Sequence, residues 1–538
     1  MLIITSCREL PSTAPDLIIL HAHIWSDGMV LQADAISITN GHIDSLGNSG
    51  DLLKIKADHT QVIDVRGMFL YPGFIDSHVH FMDGGYNISS VQLRDASTKA
   101  EFINRIKAFA LTIPKGQWIM GGDWNHELWG GTLPERNWID SVTPDHPVSI
   151  NRLDGHMILA NSLAMKLAGI NDQVKNIQGG EIPRDKKNQV IGIFKDNAVP
   201  LINKVIPPLN IQKEDQSLQA AMLYAASHGV TSVVNMGTFR DLEIFKRNKE
   251  KLITRIYTAT PLAEWKTLEA YVKENGKGDD TLHWGLLKGF MDGSLGSHTA
   301  AMFEDFTDKP GDKGLLVNPL DSMKMWIIGG HLANLQIAVH AIGDRAISDY
   351  MDIVEQNVSA TDIESSRFRI EHFQHPDSKD IHRIARLRMI PSMQPYHAID
   401  DGCWAEKVIG PERIKSTYAF HSILKSRSYL AFGSDWPVAP ADPILGIHAA
   451  VNRQTLDGKN PTGWIPEEKI SVNDALLAYT HGGAYASYVE KKAGSIRPGY
   501  LADFVLLEND LITIPSDSIK YSKVLWTMMG GKKVYSLH

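Results

Sequence analysis

A recurring pattern of short apolar runs followed by helical stretches constrains the fold of this 538-residue chain most strongly. Eight such runs occur after Gly73, and most are separated by amphipathic stretches such as residues 215–227. They span residues 74–80, 230–236, 253–259, 286–292, 337–340, 368–372, 389–394 and 429–435. Strands that alternate with helices form parallel sheets, and eight of them close a barrel. We therefore expect a (β/α)8 TIM barrel with its functional site at the C-terminal strand ends.

Both ends of the chain have a different, β-rich texture. Strand-like runs occupy residues 17–20, 35–38 and 62–65 near the start, and 503–507 and 523–528 near the end. Asn40-Gly41 is a hairpin signal between two of them. We expect residues 1–72 and 487–538 to form one composite β-sandwich domain, and residues 73–486 to form the barrel domain.

Two further strand-like runs, at residues 118–123 and 147–152, exceed the needs of the barrel. We assign them to an insertion at about residues 82–215, near the barrel mouth. This segment carries four tryptophans: Trp118, Trp124, Trp129 and Trp138. They either cap the barrel mouth or fill the insertion's own core, and the sequence leaves both interpretations open.

Composition narrows the classes of partner and metal site. Lys and Arg number 54 against 62 Asp and Glu, for a net charge of -8, so we expect no nucleic-acid partner. The two cysteines, Cys7 and Cys403, exclude a four-sulfur zinc site and a disulfide framework, whereas 22 histidines favour nitrogen and oxygen ligands.

No apolar run approaches the roughly 18 residues of a membrane span, so we expect a cytoplasmic protein. Ile4-Thr5-Ser6-Cys7 nevertheless looks like the end of a bacterial lipoprotein signal. Too few residues precede Cys7 for a complete signal peptide. An envelope lipoprotein with a longer signal is therefore the alternative.

The sharpest motif in the chain is Pro72-Gly73-Phe74-Ile75-Asp76-Ser77-His78-Val79-His80. Residues two apart on a strand point to the same side, so His78 and His80 project together from the first barrel strand. Two imidazoles aimed at one point suit zinc or another borderline divalent ion. The motif therefore indicates a metal site.

This motif resembles the opening motif of the amidohydrolase superfamily. Residues 339–346, 370–374, 392–395 and 433–438 resemble segments of its YtcJ-like branch, which contains N-substituted formamide deformylases. The resemblance runs from about Asp16 to Tyr535. It implies a barrel that binds one or two divalent ions, most commonly zinc, beside a β-sandwich.

The resemblance also implies the remaining ligands. His340 and His372 would be the third and fourth histidine ligands, and Asp435 a metal ligand and proton acceptor. Lys288 lies inside an apolar strand, where a cation is costly to bury. The resemblance implies that CO₂ converts it to a carbamate ligand; a salt-bridged lysine, or one that reaches water with its ammonium, is the alternative.

Segments near the barrel mouth predict substrate contacts by Trp124, His156, Asp292 and His397, although each could be a satisfied structural residue. The chain departs from the family at His298 and His421, where arginine is common. Each change replaces a permanent charge by a titratable group. These departures do not affect the expected metal ligands. They weaken the inference of a specific substrate from the family.

The resulting hypothesis is a metal-dependent hydrolase of a non-peptide amide, with an N-substituted formamide as a candidate substrate. Metal-activated water attacks, and Asp435 is the general base. A deaminase, lactonase or carbamate hydrolase with the same site is the alternative, and a metal-free interaction protein on this scaffold is a remote one. The expected partner is a small-molecule substrate, and a homo-oligomer is left open.

Overall fold

Eight parallel strands form a closed barrel in the computed structural model, which describes residues 14–88, 90–207 and 210–537. The barrel strands, in chain order, are Phe74–Val79, Val230–Asn235, Arg255–Pro261, Leu282–Phe290, Gln336–Ala341, Arg369–His372, Ile390–Met393 and Ala431–Phe432. The barrel closes where Val79 of the first strand pairs with Trp436, beyond the eighth strand. Each predicted run overlaps one of these strands, which confirms the (β/α)8 barrel.

The barrel strands are buried on both faces because they lie between the barrel interior and an outer layer of helices. All six residues of Val230–Asn235 are buried, as expected for a parallel sheet that is covered on both sides. The helix before this strand, Ile211–Ser227, begins where Asn210 Oδ1 accepts a hydrogen bond from the backbone N–H of Lys213 at 2.9 Å. Such an N-cap satisfies a donor that the first helical turn leaves unpaired.

The helices fall into two groups, those that surround the barrel and those that pack on the other sheets. Those of the barrel are Phe81–Ile88, Ile211–Ser227, Phe239–Arg247, Trp265–Asn275, Leu320–Leu332, Asp344–Asn357, Ala360–Ser366, Ser378–Arg386, Pro395–Asp401, Ala405–Arg413, Phe420–Lys425, Pro443–Asn452, Val472–Leu477 and Gly483–Ala486. Those elsewhere are Ser49–Leu52, Lys99–Ala110, Arg136–Ile139, Ser162–Leu167 and Pro200–Asn203. Within the described part of the chain, no helix has the length and apolar character needed to span a bilayer. The Cys7 motif lies outside the described residues.

Two sheets built from both chain ends pack face to face. The first has the spatial order His42–Gly47, Ala35–Thr39, Leu17–Leu20 and Gln61–Asp64. The second has the order Lys532–Ser536, Val524–Met529, Phe504–Leu507, Phe69–Pro72, His23–Ser26 and Met29–Val30. Ile19 and Ile36 of the first sheet share a core with Leu70 and Phe504 of the second. This confirms the predicted sandwich of the two termini.

A further sheet lies between the first and second barrel strands. Its spatial order is Gly180–Glu181, Ile193–Asp196, Met157–Ala160, Val148–Arg152, Ile119–Trp124 and Val91–Gln92. Trp124 is fully buried there, and its Nε1–H donates to Ile150 O at 3.0 Å. Trp129 and Trp138 pack against the same apolar cluster, and Trp118 against a neighbouring one. The tryptophans therefore fill the core of this segment.

Candidate metal centre and active site

His78 and His80, at the end of the first barrel strand, reach the same carboxylate. His78 is fully buried, whereas the side chain of His80 is 28% exposed. Their Nε2 atoms lie 3.3 Å and 3.4 Å from Asp435 Oδ1, respectively. Asp435 follows the eighth strand, which neighbours the first because the barrel closes there. The strand period that paired the two histidines therefore brings both to one point.

Asp76, two residues before His78, holds the Asp435 segment in place. Its carboxylate accepts hydrogen bonds from the backbone N–H and the hydroxyl of Ser434, at 2.8 Å and 2.5 Å. The backbone N–H of Asp435 donates to His78 O at 2.7 Å. These bonds support Asp435 at a φ of 60°, which is costly for a residue other than glycine. Burial raises the pKa of Asp76 to about 7, in spite of its hydrogen bonds.

His340 and His372 bring two more imidazoles to the same place. The Nε2–H of His340 donates to Gly293 O at 3.0 Å, and the Nδ1–H of His372 donates to Gln394 Oε1 at 2.9 Å. The centroids of the two rings are 4.5 Å apart. One nitrogen of each ring is thus fixed as a donor by a protein oxygen, so the other nitrogen carries a lone pair that could bind a metal ion.

The protonation states in this cluster follow from burial and from the contact between one carboxylate and several imidazoles. Burial lowers the pKa of both His340 and His372 well below its ordinary value, and neighbouring positive groups add to the effect. Burial alone would raise the pKa of Asp435, but the imidazoles of His78, His80 and His372 lower it well below its usual range. Uncharged imidazoles with an ionised carboxylate form a nitrogen and oxygen donor set typical of divalent metals.

Two buried polar atoms of the cluster, Asp435 Oδ1 and His397 Nε2, have no hydrogen-bond partner within the described residues. Ligand atoms of His78, His80 and Asp435 lie within 4.8 Å of one another, and so do those of His372, His397 and Asp435. Buried polar groups normally have partners. The donor set therefore fits a divalent metal ion.

Lys288, on the fourth barrel strand, is almost completely buried beside this cluster. The residue is 5% exposed, and its Nζ lies 3.2 Å from His78 Nε2 and 4.9 Å from the ring centroid of Phe290. Over the described ranges it has no carboxylate within 4.0 Å, so it is not salt-bridged, and it lines the cavity over the cluster. Burial lowers its pKa to about 8, against the attraction of Glu371 and Asp435.

A buried ion pair behind the cluster was missed by the sequence analysis. Glu371 accepts a hydrogen bond from His78 Nδ1–H at 2.5 Å and another from Arg369 Nε–H at 2.7 Å. Both side chains of the ion pair are fully buried. Burial would raise the pKa of Glu371, but Arg369 and His78 lower it to about 2. The signal was two charged residues on one face of the strand that ends in His372.

His156 and His397 line one cavity together with His340 and His372. The Nδ1–H of His156 donates to Asp196 Oδ1 at 2.7 Å, and its ring centroid lies 4.9 Å from that of His340. Burial alone would lower the pKa of His156, but Asp196 raises it above its ordinary value. The ring of His397 lies nearly parallel to that of His372, at a centroid distance of 6.3 Å, and burial lowers its pKa. Both side chains therefore lie at the cavity wall next to the cluster.

Asp292 and Trp124, two other predicted substrate contacts, form hydrogen bonds with the protein backbone. The Asp292 carboxylate accepts hydrogen bonds from the backbone N–H groups of Ala301, Ile342 and Gly343, at 2.8, 3.0 and 2.8 Å. It thereby anchors two loops at the barrel mouth. Trp124 lies in the apolar core of the insertion, outside the cavity over the cluster. Neither side chain lines the cavity over the cluster, and substrate contact by either stays a prediction.

His298 and His421, the two departures from the family pattern, lie away from the cluster. His298 Nε2 is 3.0 Å from Asp308 Oδ1, and its ring packs against Phe306. His421 is exposed near the start of the helix Phe420–Lys425. Neither contributes to the lining of the cavity over the cluster.

A cavity of about 530 Å³ opens over the cluster. The barrel contributes His80, His340, His372 and Asp435 to its lining. The sheet between the first two barrel strands contributes Met120, Asp123, Asn151 and Ile158, among others. Sites for small molecules commonly measure about 300–1,000 Å³. The cavity is therefore large enough for a small organic substrate with its reacting group at the cluster.

The chain is similar to several known proteins over almost its full length. It is 36% identical over 536 residues to the protein LONG AFTER FAR-RED 3 of Arabidopsis thaliana, which covers 97% of this chain and 91% of that protein. It is 28% identical to the putative amidohydrolase YtcJ of Bacillus subtilis, with coverage of 95% and 99%. It is 24% identical to the N-substituted formamide deformylase of Arthrobacter pascens, with coverage of 96% and 97%.

A solved structure and a family match agree with these relatives. The crystal structure of an uncharacterized metal-dependent hydrolase from Pyrococcus horikoshii is 26% identical, with a TM-score of 0.76 and coverage of 93% of this chain and 99% of that one. Residues 61–535 match the model of the amidohydrolase family. The predicted resemblance is thus confirmed: the chain belongs to the amidohydrolase family and is a hydrolase that acts on carbon–nitrogen bonds.

Proposed function

We propose that the protein is a metal-dependent hydrolase of a non-peptide amide, with N-substituted formamides as the candidate substrates. One observation carries this proposal. Imidazoles and one carboxylate, which come from the ends of four barrel strands, lie close together at the floor of one cavity. A nitrogen and oxygen donor set beside a small-molecule cavity is suited to metal-assisted hydrolysis.

The residues that would hold one or two divalent ions are His78, His80, Lys288, His340, His372 and Asp435. Zinc suits imidazole and carboxylate ligands. When bound, such an ion would lower the pKa of a water ligand to about 7 and polarise a carbonyl group. Glu371 and Gln394 accept hydrogen bonds from the Nδ1–H groups of His78 and His372, respectively, and thereby orient the two rings.

Asp435 would move the proton. Its Oδ1 is buried, accepts no hydrogen bond within the described residues, and belongs to a carboxylate that stays ionised at neutral pH. As water attacks the amide carbon, Oδ1 accepts the water proton. The same oxygen then returns the proton to the departing amine nitrogen as the carbon–nitrogen bond breaks.

His156 and His397 would contact the substrate carbonyl oxygen. His156 is held by Asp196 in the tautomer that has Nδ1–H, and Asp196 also favours its protonated form. His397 Nε2 is buried and has no partner within the described residues. A protonated imidazole donates a hydrogen bond to the negative charge that develops on that oxygen.

Lys288 is proposed to react with CO₂. Its amine nitrogen would form a bond to the carbon of CO₂ and release a proton, which gives an anionic carbamate. The support is its position: a buried amine in contact with His78 Nε2, without a carboxylate within 4.0 Å in the parts of the chain that are described. An anion at this point would add an oxygen ligand to the donor set.

The similarity to the N-substituted formamide deformylase of Arthrobacter pascens supports formamides as candidates. The same groups would also serve deamination, lactone opening or carbamate hydrolysis, and fold alone does not separate these reactions. The substrate therefore has to be tested against these alternatives directly.

The deciding experiment combines metal analysis with a substrate panel. Purified protein is expected to contain at least one zinc or similar ion per chain, and to hydrolyse N-alkylformamides faster than the matching acetamides, lactones and esters. The variant Asp435→Asn provides the background rate of each preparation. A metal-free protein would favour an interaction role, and turnover of lactones or amidines alone would replace the amide proposal.

A further inference from the structure

Among the described residues, one carboxylate of the cavity over the cluster has no histidine, lysine or arginine nitrogen within 4.0 Å. Its aspartates are Asp83, Asp123, Asp154, Asp196 and Asp435. Four of these have a histidine or arginine nitrogen within 4.0 Å: Asp83 has His80, Asp154 has Arg152, Asp196 has His156, and Asp435 has His78. Asp123 has no such nitrogen in the described ranges; its partners there are two neutral amides.

Asp123 lies at the centre of a group of hydrogen-bond acceptors. The residue is 4% exposed, and Nδ2 of Asn87 and of Asn151 donate to its two oxygens at 2.7 Å and 2.5 Å. Both asparagines line the same cavity. Because each amide uses one N–H on Asp123, its carbonyl oxygen remains as an acceptor for a ligand. We call Asn87, Asp123 and Asn151 the Asp123 subsite.

The backbone around Asp123 departs from regular strand geometry. Gly121, Gly122 and Asp123 have φ values of 75°, 100° and 50° in succession. The pairing of Ile119–Trp124 with Val148–Arg152 shifts register at this point. A methyl group on Gly121 would lie 2.6 Å from the side chain of Ser90, so glycine is required there. This costly conformation sets the direction of the Asp123 carboxylate.

The charge balance of the cavity favours a cation. Lys288, at the cluster, is the one lysine or arginine among the described lining residues. Four of the five aspartates already have a histidine or arginine partner, so the unbalanced charge lies at Asp123. A buried carboxylate is stabilised by a charged donor and destabilised by another anion. Burial raises the pKa of Asp123 to about 6, although Arg94 and the two amides act in the opposite direction. A bound cation would relieve this cost.

We propose that the Asp123 subsite binds an ammonium or another cationic hydrogen-bond donor on the substrate, away from the bond that is hydrolysed. The inference rests on the proposed function and narrows it: the amide substrate carries an amine and no carboxylate. An ammonium offers three N–H donors, which match the carboxylate and amide oxygens of the subsite.

Matched substrates test the subsite by kinetics. An ω-aminoalkyl formamide, the neutral alkyl formamide and the ω-carboxyalkyl formamide of equal length are compared on metal-loaded, full-length protein. We expect the lowest KM for the aminoalkyl compound, and D123N should raise that KM about tenfold or more, with little change for the neutral one. D145N, which removes an exposed carboxylate outside the cavity, is the matched control. Equal effects of D123N on the amino and neutral compounds would overturn the proposal.

A binding measurement with a ligand that is not hydrolysed tests the subsite independently of the proposed hydrolase activity. Titration calorimetry with a linear alkyl diamine and the corresponding diol is carried out on the wild type, D123N and N151A. Diamine binding that D123N abolishes would support the subsite even if no amide were hydrolysed. Amide hydrolysis without diamine binding would remove the subsite and leave the hydrolase intact. Unchanged metal content and unfolding midpoint of D123N would show that its fold is preserved.

Discussion

Replacement of Glu371 by glutamine tests the ion pair that orients His78, a proposed metal ligand. Glu371 and Arg369 are fully buried, and Glu371 also accepts a hydrogen bond from His78 Nδ1–H at 2.5 Å. Glutamine keeps the shape of the side chain but removes the charge, and its NH₂ group faces a donor of Arg369 or of His78. A buried charge that loses its partner costs about 3–5 kcal/mol of stability.

The pKa of Glu371 provides a second measure of the same interaction. The folded state lowers it from 4.5 to about 2, which corresponds to roughly 3 kcal/mol of stabilisation at neutral pH. Because the folded pKa is the lower one, this contribution is complete above pH 4.5 and is lost as the pH falls towards 2. The wild type should therefore lose about 3 kcal/mol over this window through Glu371, and E371Q should lack this contribution.

Metal affinity is expected to change as well. Without the Glu371 carboxylate, His78 loses the acceptor that fixes its tautomer and ring orientation, and such losses commonly weaken metal binding about 10–100-fold. Urea unfolding at several pH values and metal competition with a chelator measure the two effects. E412Q, which alters an exposed ion pair with Lys415, is the control and should change neither. Unchanged metal affinity together with less than about 1 kcal/mol of destabilisation in E371Q would refute the reasoning.

Three further substitutions test separate parts of the molecule. Asp435→Asn should lower kcat about 10²–10⁴-fold in a protein that still folds, because an amide accepts no proton; near-normal turnover would exclude Asp435 as the base. Lys288→Ala should reduce the metal content, and short carboxylic acids should partly restore it; an unmodified Lys288 in the intact mass of metal-loaded wild type, recorded without acid, would argue against the carbamate. Asp503→Asn should destabilise the protein by about 3–5 kcal/mol in urea unfolding, since it leaves Arg255, now bonded to Asp503 at 2.6 Å, unpaired in the interior; a loss below about 1 kcal/mol would show that this ion pair contributes little.

Local patterns in the sequence were sufficient to predict the barrel and the sandwich. Strands and helices differ in the period of their apolar residues, and this period is visible within a single run of residues. The hairpin at Asn40-Gly41 was also visible locally: both residues have positive φ, 50° and 75°, a conformation that asparagine tolerates and that glycine adopts because it has no Cβ. His78 and His80 share a side of the strand for the same reason.

Contacts between distant strands required the tertiary structure. No local pattern pairs Asp76 with Ser434, or Gln394 with His372, because these contacts depend on which strands become neighbours when the barrel closes. The same holds for Asp123, whose role depends on the cavity that it faces.

The sequence by itself determined the element types, the closed barrel and the histidine pair, because these follow from periodicity and from residue types within short segments. Only the tertiary structure decided that Trp124 is a core residue, that Glu371 orients His78, and that Asp123 lies in the cavity without a cation within the described residues. The physical reason is that burial, charge pairing and hydrogen bonding depend on distances between segments, and chain folding sets those distances.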